Sequence, residues 1–374
     1  MKQTQKIRLG LLFFIILFLS WLGYRHQIMG GGPAGSPTVD ALCPFGGLEG
    51  LRSFITDGSW LRRLAPSSLI LFGGTILATL FAGRIFCGWL CPLGGLYEFA
   101  NMGARKMGIK QFHVPAPVDR FLRFFKYIVL LAATALTWKT GVLVIRDYDP
   151  WAAFMHLSAL STEAGIGLGV LIVTLILGLF IERFWCRYLC PLGAALALLS
   201  PFSFVKIRRN EESCIHCRDC DETCPVEISP EAVTIVKDRE CLACGKCADA
   251  CPVEKTLFFG TAQKQYKTLA IALIGIALFV SVIPVAKGFG VWKTFAVPNL
   301  SSSSTNPADK IYGWMTITQV AETINLSTEE TLKAAQLPDD TSLSTPIKKM
   351  DGVDDEKVRE LLAEYLREKK KKKE

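Results

Sequence analysis

Residues 214–252 read CIHCRDCDETCPVEISPEAVTIVKDRECLACGKCADACP. Eight cysteines fall into two copies of one pattern, Cys214-x2-Cys217-x2-Cys220-x3-Cys224-Pro225 and Cys241-x2-Cys244-x2-Cys247-x3-Cys251-Pro252. A [4Fe–4S] cube needs four thiolates around a compact centre. The x2, x2 spacing wraps three of them round one cube, and the fourth cysteine of each run ligates the other cube. The spacing therefore predicts Cys214, Cys217, Cys220 and Cys251 as ligands of one cluster, and Cys241, Cys244, Cys247 and Cys224 as ligands of a second. Zinc sites use pairs of Cys or His and not a triplet plus one. His216, inside the first run, reads as a surface residue.

This stretch lies in an apolar chain. Half of the 374 residues are hydrophobic, too many for an ordinary soluble domain of this length and suited to a membrane protein with polar appendages. Thirteen cysteines in short repeated spacings point to metal ligation or redox work and away from a disulfide framework. The net charge of +8 does not by itself indicate nucleic acid, because many basic residues flank apolar segments. The run Lys369–Lys373 reads as a solvated tail.

About five transmembrane helices are expected, over Ile7–Gly23, Ser68–Phe86, Phe125–Ile145, Ile166–Phe184 and Thr268–Ala286. The first follows Lys2, Lys6 and Arg8 and lacks a small-residue cleavage site, so it reads as an anchor. Leu189–Leu199 is apolar but too short to span, and is expected at the interface or re-entering. Basic residues favour the cytoplasmic side. Arg105, Lys106, Lys110, Arg120, Arg123, Arg183, Arg187, Lys206, Arg208 and Arg209 then put the N-terminus and the eight-cysteine insert in the cytoplasm. Arg52, Arg62 and Arg63, in a loop placed outside, run against that orientation. The expected layout is a multi-pass protein of the inner membrane. Residues 1–204 form a membrane domain with four spans, and residues 205–260 a double [4Fe–4S] ferredoxin-type α+β domain. A fifth span covers 261–287, and a small extracytoplasmic helical module 288–374.

A second repeat sits at two span ends. Arg84-Ile-Phe-Cys87-Gly-Trp-Leu-Cys91-Pro-Leu-Gly94 matches Arg183-Phe-Trp-Cys186-Arg-Tyr-Leu-Cys190-Pro-Leu-Gly193, and Cys43-Pro-Phe-Gly-Gly47 is a partial third copy. The x3 spacing puts both sulfurs on one face of a helix or helix end. Proline directly after cysteine suits the first position of a helix and predicts Cys43, Cys91 and Cys190 as N-caps. A helix N-terminus lowers a thiol's pKa. Cys87, Cys91, Cys186 and Cys190 could assemble one four-thiolate site, either a third Fe–S cluster or a dithiol/disulfide relay. The alternative is four buried small apolar residues at tight helix ends.

Two Cys-x3-Cys-Pro motifs at span ends, followed by a two-cluster ferredoxin insert, resemble the NapH/NosR-type membrane iron–sulfur proteins over roughly Leu69–Phe259. The resemblance implies electron exchange between the quinone pool, or a quinol dehydrogenase partner, and a redox partner. The chain would then be an electron-transfer component of an oxidoreductase system. The alternative is an accessory protein for redox sensing or metalloenzyme maturation, without turnover of its own. Two departures stand out: no Ser/Thr-Gly-Ala-Thr flavin attachment sequence occurs, and the region from Lys287 is not part of the nitrate-reductase subunit pattern.

The four histidines, His26, His113, His156 and His216, all lie away from span centres, which argues against a membrane b-haem. There is no Gly-x4-Gly-Lys-Ser/Thr loop. Gly165, Gly167 and Gly169 read as helix packing and not as a dinucleotide site. Beyond a linker at Ser301–Ser304 and Pro307, Ser327–Glu330 reads as a capping box, Thr318 as the cap of the preceding helix, and Asp354–Lys370 as a third helix. The pair could suggest a helix-turn-helix, but on the expected topology this side faces away from the nucleoid, so no nucleic-acid partner is expected.

Overall fold

The computed structural model describes all residues except 1, 34, 39, 59, 60, 62, 63, 142, 156–164, 262, 298–306, 339, 340, 348, 349, 351, 352 and 372–374. Arg62, Arg63, His156, the linker Ser301–Ser304 and the end of the lysine tail lie outside the described residues.

The chain is mostly helical, with one small sheet. The membrane part runs α1 (Gln3–Met29), α2 (Pro44–Asp57), α3 (Pro66–Ala82), α4 (Ile85–Trp89), α5 (Pro92–Lys106), α6 (Ala116–Leu122), α7 (Phe125–Thr140), α8 (Pro150–Met155), α9 (Gly165–Phe180), α10 (Phe184–Tyr188) and α11 (Pro191–Leu199). The insert follows with β1 (Lys206–Arg209), α12 (Asp219–Glu222), α13 (Lys246–Ala250), β2 (Leu257–Gly260) and β3 (Gln265–Tyr266). Then come α14 (Thr268–Gly288), α15 (Ile317–Ile324), α16 (Thr328–Ala334) and α17 (Asp355–Lys371).

Among the described residues, three stretches are long and apolar enough to cross a membrane: α1, α6 with α7 over Ala116–Thr140, and α14. The other two expected crossings give helices of 17 and 16 residues, α3 and α9, short of the roughly 20 that span a bilayer. The reason is local. Gly83 takes φ 71° at the end of α3, and Arg183 takes φ 57° three residues after α9. At these left-handed residues the chain turns, and the remaining apolar residues form the separate short helices α4 and α10. Leu189–Leu199 becomes α11, which packs against α3 and α7 inside the bundle.

In the insert, β1 pairs antiparallel with β2, from Lys206 opposite Gly260 to Arg209 opposite Leu257, and β2 pairs with β3, Phe259 opposite Tyr266. The sheet thus continues past residue 260 and leads directly into α14. Five helix ends meet the insert on one side of the bundle. Gln5 Nε2 donates to the Cys244 carbonyl (3.2 Å), Arg84 pairs with Glu240 (3.1 Å), and Arg123 Nη2 donates to the Val226 carbonyl (2.6 Å). Lys246 pairs with Glu182 (2.8 Å), and a Cβ on Gly245 would lie 2.4 Å from Thr268 Cγ2. The opposite ends meet each other: Thr38 N donates to the Thr294 carbonyl (3.2 Å), Ser67 N to that of Lys293 (3.1 Å), and Trp138 Nε1 to that of Glu49 (3.1 Å).

The C-terminal helices enclose their own core of Ile317, Val320, Ile324, Leu332, Val358 and Leu362. Thr316, not Thr318, caps α15: its hydroxyl accepts from Gln319 N while the Gln319 side chain accepts from Thr316 N, so the cap lies two residues before the predicted one and is itself a capping box. Ser327 caps α16 as expected, accepting from Glu330 N.

Candidate metal centres

The two cysteine runs of the insert fold alike. The second residue after the first cysteine (His216, Ala243) and the first after the second (Arg218, Gly245) are left-handed in both copies. Each run therefore curls round a centre before entering its short helix, α12 or α13, which carries the third cysteine. Cys214, Cys217, Cys220 and Cys251 line one cavity, together with Arg209 and Ile215. Cys224, Cys241, Cys244 and Cys247 line a second, with Val226 and Leu242. Both predicted quartets are thus brought together, each completed by the last cysteine of the other run. Cys217 is exposed, and Cys220, Cys244 and Cys247 are buried. Arg209 Nη1 is buried at the first cavity without a hydrogen-bond partner, a donor suited to a sulfur-rich anion. Burial pushes the thiols of Cys220 and Cys241 up to about 12 and that of Cys224 to about 11. Loading a metal here would displace their protons. His216 is exposed and its Nδ1 meets Glu231 (2.5 Å), a residue that lines the first cavity.

The membrane-side repeat is built differently. Cys87 lies in α4 and Cys186 in α10, while Cys91 caps α5 and Cys190 caps α11. Each x3 pair straddles a break between two helices instead of sharing one helical face. The proline after the second cysteine starts the new helix in both copies, and Cys43 caps α2 in the same way. Cys91 Sγ accepts from Gly94 N (3.4 Å) and Cys190 Sγ from Gly193 N (3.2 Å). Against that favourable contact, burial and the neighbouring thiols push Cys91 and Cys190 up, opposite to the helix-end expectation.

The two halves exchange arginines. Arg183 Nη1 donates to the Cys87 carbonyl (2.9 Å) and would lie 2.7 Å from a Cβ on Gly94. Arg84 Nη2 would lie 2.8 Å from a Cβ on Gly193. Each guanidinium thus rests on the Cys-Pro-Leu-Gly turn of the other half, so close that a side chain at the glycine would displace it. Glu98 binds Arg183 (2.7 Å) and Arg8, and Glu240 binds Arg84 (3.1 Å) and Lys126. All four cations are buried, as are both carboxylates. Sequence reasoning found the cysteines and counted Arg8 and Arg183 only as basic residues flanking apolar segments, giving none of these groups a place at the cysteine turns. A signal was present: an arginine stands three residues before the first cysteine of both copies.

The insert sits directly on this repeat. A Cβ on Gly88 would come within 2.4 Å of the Leu242 carbonyl and 3.2 Å of Cys244 Cα. Trp89 Nε1 donates to the Ala243 carbonyl (3.1 Å). One packed core joins Phe86, Cys87 and Trp89 to Leu242, Cys244 and Cys247. Half-buried Cys43 packs into the same apolar cluster as Cys91, Cys186 and Cys190. Of the three glycines that open α9, Gly167 packs closely, its would-be Cβ 3.0 Å from the Asp147 carbonyl, while Gly165 and Gly169 face open space.

Comparison with known proteins agrees with this division. A 4Fe-4S binding domain model matches residues 64–110 and again 164–210, the two halves of the membrane repeat, and a 4Fe-4S dicluster domain model matches residues 206–264. YccM of Escherichia coli, to which electron transport is ascribed, is 32% identical over 78% of this chain and 86% of its own length. The ferredoxin-type protein NapH of Haemophilus influenzae is 30% identical over 58% of this chain and 73% of its own. NirI of Paracoccus denitrificans is 31% identical over 59% of this chain, but the match spans only 31% of that longer protein. No solved structure matches.

Proposed function

The chain belongs to the NapH/NosR-type family of membrane 4Fe-4S proteins, and from that premise we propose that it carries electrons between a redox partner at the insert and a quinone or quinol dehydrogenase partner at the bundle. The observation that supports the proposal is that two cysteine-lined cavities of the insert lie beside Cys87, Cys91, Cys186 and Cys190, which are near enough to one another to influence each other's ionisation. Cys214, Cys217, Cys220 and Cys251 hold the outermost [4Fe–4S] cluster, with Cys217 exposed towards a partner. Cys224, Cys241, Cys244 and Cys247 hold the second. Cys87, Cys91, Cys186 and Cys190 hold a third, reached across the close packing of Gly88 on Leu242. When bound, such clusters supply one-electron transfer at potentials tuned by local charge and hydrogen bonds. The protein around them excludes water from the inner two quartets and fixes their separation.

Five crossings, an inner-membrane location and a cytoplasmic insert are part of the same reading. Its support is that five helix ends meet the insert while their opposite ends meet each other. The membrane-side helix ends that touch the insert carry Lys2, Lys6, Arg8, Arg105, Arg120 and Arg123, the pattern of a cytoplasmic face. The test is iron and acid-labile sulfide on anaerobically purified protein, followed by reoxidation of the reduced protein with a quinone analogue. About twelve irons per chain and rapid reoxidation are expected. About eight irons would remove the third cluster, and absent reoxidation would favour the accessory reading.

A further inference from the structure

We infer that Arg84 and Arg183 are the counter-cations of an anionic group held by Cys87, Cys91, Cys186 and Cys190, each arginine reaching from one half of the repeat to the cysteine turn of the other. The inference rests on the proposed reading of those four thiols as a third cluster site and adds what makes such a site tolerable in the bundle.

Geometry is the first support. Both arginines are almost wholly buried, at 1% and 0% exposure. Both lie against glycine turns that a methyl group would close, Gly193 for Arg84 and Gly94 for Arg183. The exchange has the same form in both halves, so two guanidinium groups flank the quartet. Their Nε donors are buried and have no hydrogen-bond partner. A guanidinium presents five donors in a fixed fork, and leaving one unmet in a buried site is costly. Cluster sulfurs are acceptors of the right chemistry for them.

Charge is the second. Arg8 and Arg183 share Glu98, and Arg84 and Lys126 share Glu240. Lys246 also touches Glu98 but is matched by its own partner Glu182. Within this network four buried cations share two buried carboxylates, a local surplus of two positive charges beside the cysteines; buried Arg187 has its own carboxylates, Asp119 and Glu227. Uncompensated buried charge is strongly unfavourable, so an anion belongs here. Four neutral thiols, or a dithiol/disulfide pair, leave the surplus standing. An oxidised [4Fe–4S] core with four thiolates has a net double negative charge and cancels it. The same cations then stabilise the reduced form, which is more negative by one charge, and so raise the cluster's midpoint potential.

The test uses the full chain in detergent, with iron content and an EPR-monitored redox titration. The variants are Arg84→Met, Arg183→Met and the charge-keeping Arg84→Lys and Arg183→Lys. Each Met variant is expected to shift the third cluster's midpoint negative by at least a tenfold change in its reduction equilibrium, about 59 mV for one electron. The two insert clusters should stay near their native values, and each Lys variant should recover most of the shift. Loss of the third cluster in a Met variant but not in its Lys counterpart supports the inference equally, since charge is then what retains it. An unshifted midpoint in both Met variants with iron intact overturns it. So does loss of four irons in both Lys variants while the insert clusters remain. Wild-type protein with about eight irons would instead refute the third-cluster reading itself, which keeps the two failures apart.

Discussion

The eight cysteines of the insert and the four of the membrane repeat are gathered by opposite means. In the insert, three cysteines of each quartet, three residues apart, are curled together by the backbone itself, through left-handed residues at His216, Arg218, Ala243 and Gly245, and the fourth comes from the neighbouring run. In the bundle, the two pairs come from segments about a hundred residues apart and meet only because α3–α5 and α9–α11 pack as two halves exchanging Arg84 and Arg183. The first arrangement is largely local and includes the exposed Cys217; the second is tertiary, with two cysteines buried and two half-buried. The difference implies that insert ligation tolerates disturbance elsewhere in the chain, whereas the bundle site depends on a buried charge network that spans both regions.

The sharpest way to break this comparison is to remove one ligand from each. Cys186→Ser should lower iron from about twelve to about eight per chain and leave both insert clusters' EPR signals intact. Cys247→Ser should take iron from the insert while the bundle site keeps its own. If Cys186→Ser leaves iron unchanged, the two regions do not differ as described.

The next effect concerns the charges that join them. Glu240→Gln leaves Arg84 and Lys126 buried without their carboxylate, and breaking such a buried pair costs about 3–5 kcal/mol. Thermal unfolding in detergent should show it as a large fall in the midpoint. Glu330→Gln, whose partner Lys369 is a surface residue of the C-terminal module, serves as the surface control and should leave the midpoint in place. Equal shifts for the two would mean that the buried network holds nothing together.

A smaller effect is expected at the junction. Gly88→Ala drives a methyl group towards the Leu242 carbonyl, an overpacking of about 1–3 kcal/mol. Iron content should hold while reoxidation by a quinone analogue slows, because the wedge separates the second and third quartets. Unchanged kinetics would place the electron route elsewhere. Smallest of all, Ser327→Ala removes the cap of α16 and should cost about 1 kcal/mol in the C-terminal module alone. Limited proteolysis would detect this loosening, and the iron content should not move.

Particular residues show how far sequence carried. The Cys-x2-Cys-x2-Cys-x3-Cys-Pro runs predicted both quartets, because cluster ligation by neighbouring residues is a property of spacing. Proline after Cys43, Cys91 and Cys190 predicted three helix starts, because proline's missing N–H and fixed φ suit that position. The cap at Thr316 was missed for Thr318, since the Gln319 that completes the box was not weighed. The crossings over Ser68–Phe86 and Ile166–Phe184 were drawn too long as single helices. Hydropathy does not register the turns at Gly83 and Arg183, where the apolar run continues but the helix does not.

The sequence by itself determined which cysteines gather into the insert's two quartets, the apolar segments and the doubling of the Cys-x3-Cys-Pro motif, all of which follow from spacing, hydropathy and local backbone preference. Only the tertiary structure decided which buried cations face which cysteines, that Glu98 and Glu240 each hold two of them, and that Gly88 lets the insert rest on the bundle. Those pairings join residues up to about 156 positions apart, and the cost of burying unpaired charge, which selects them, acts only once the helices have packed.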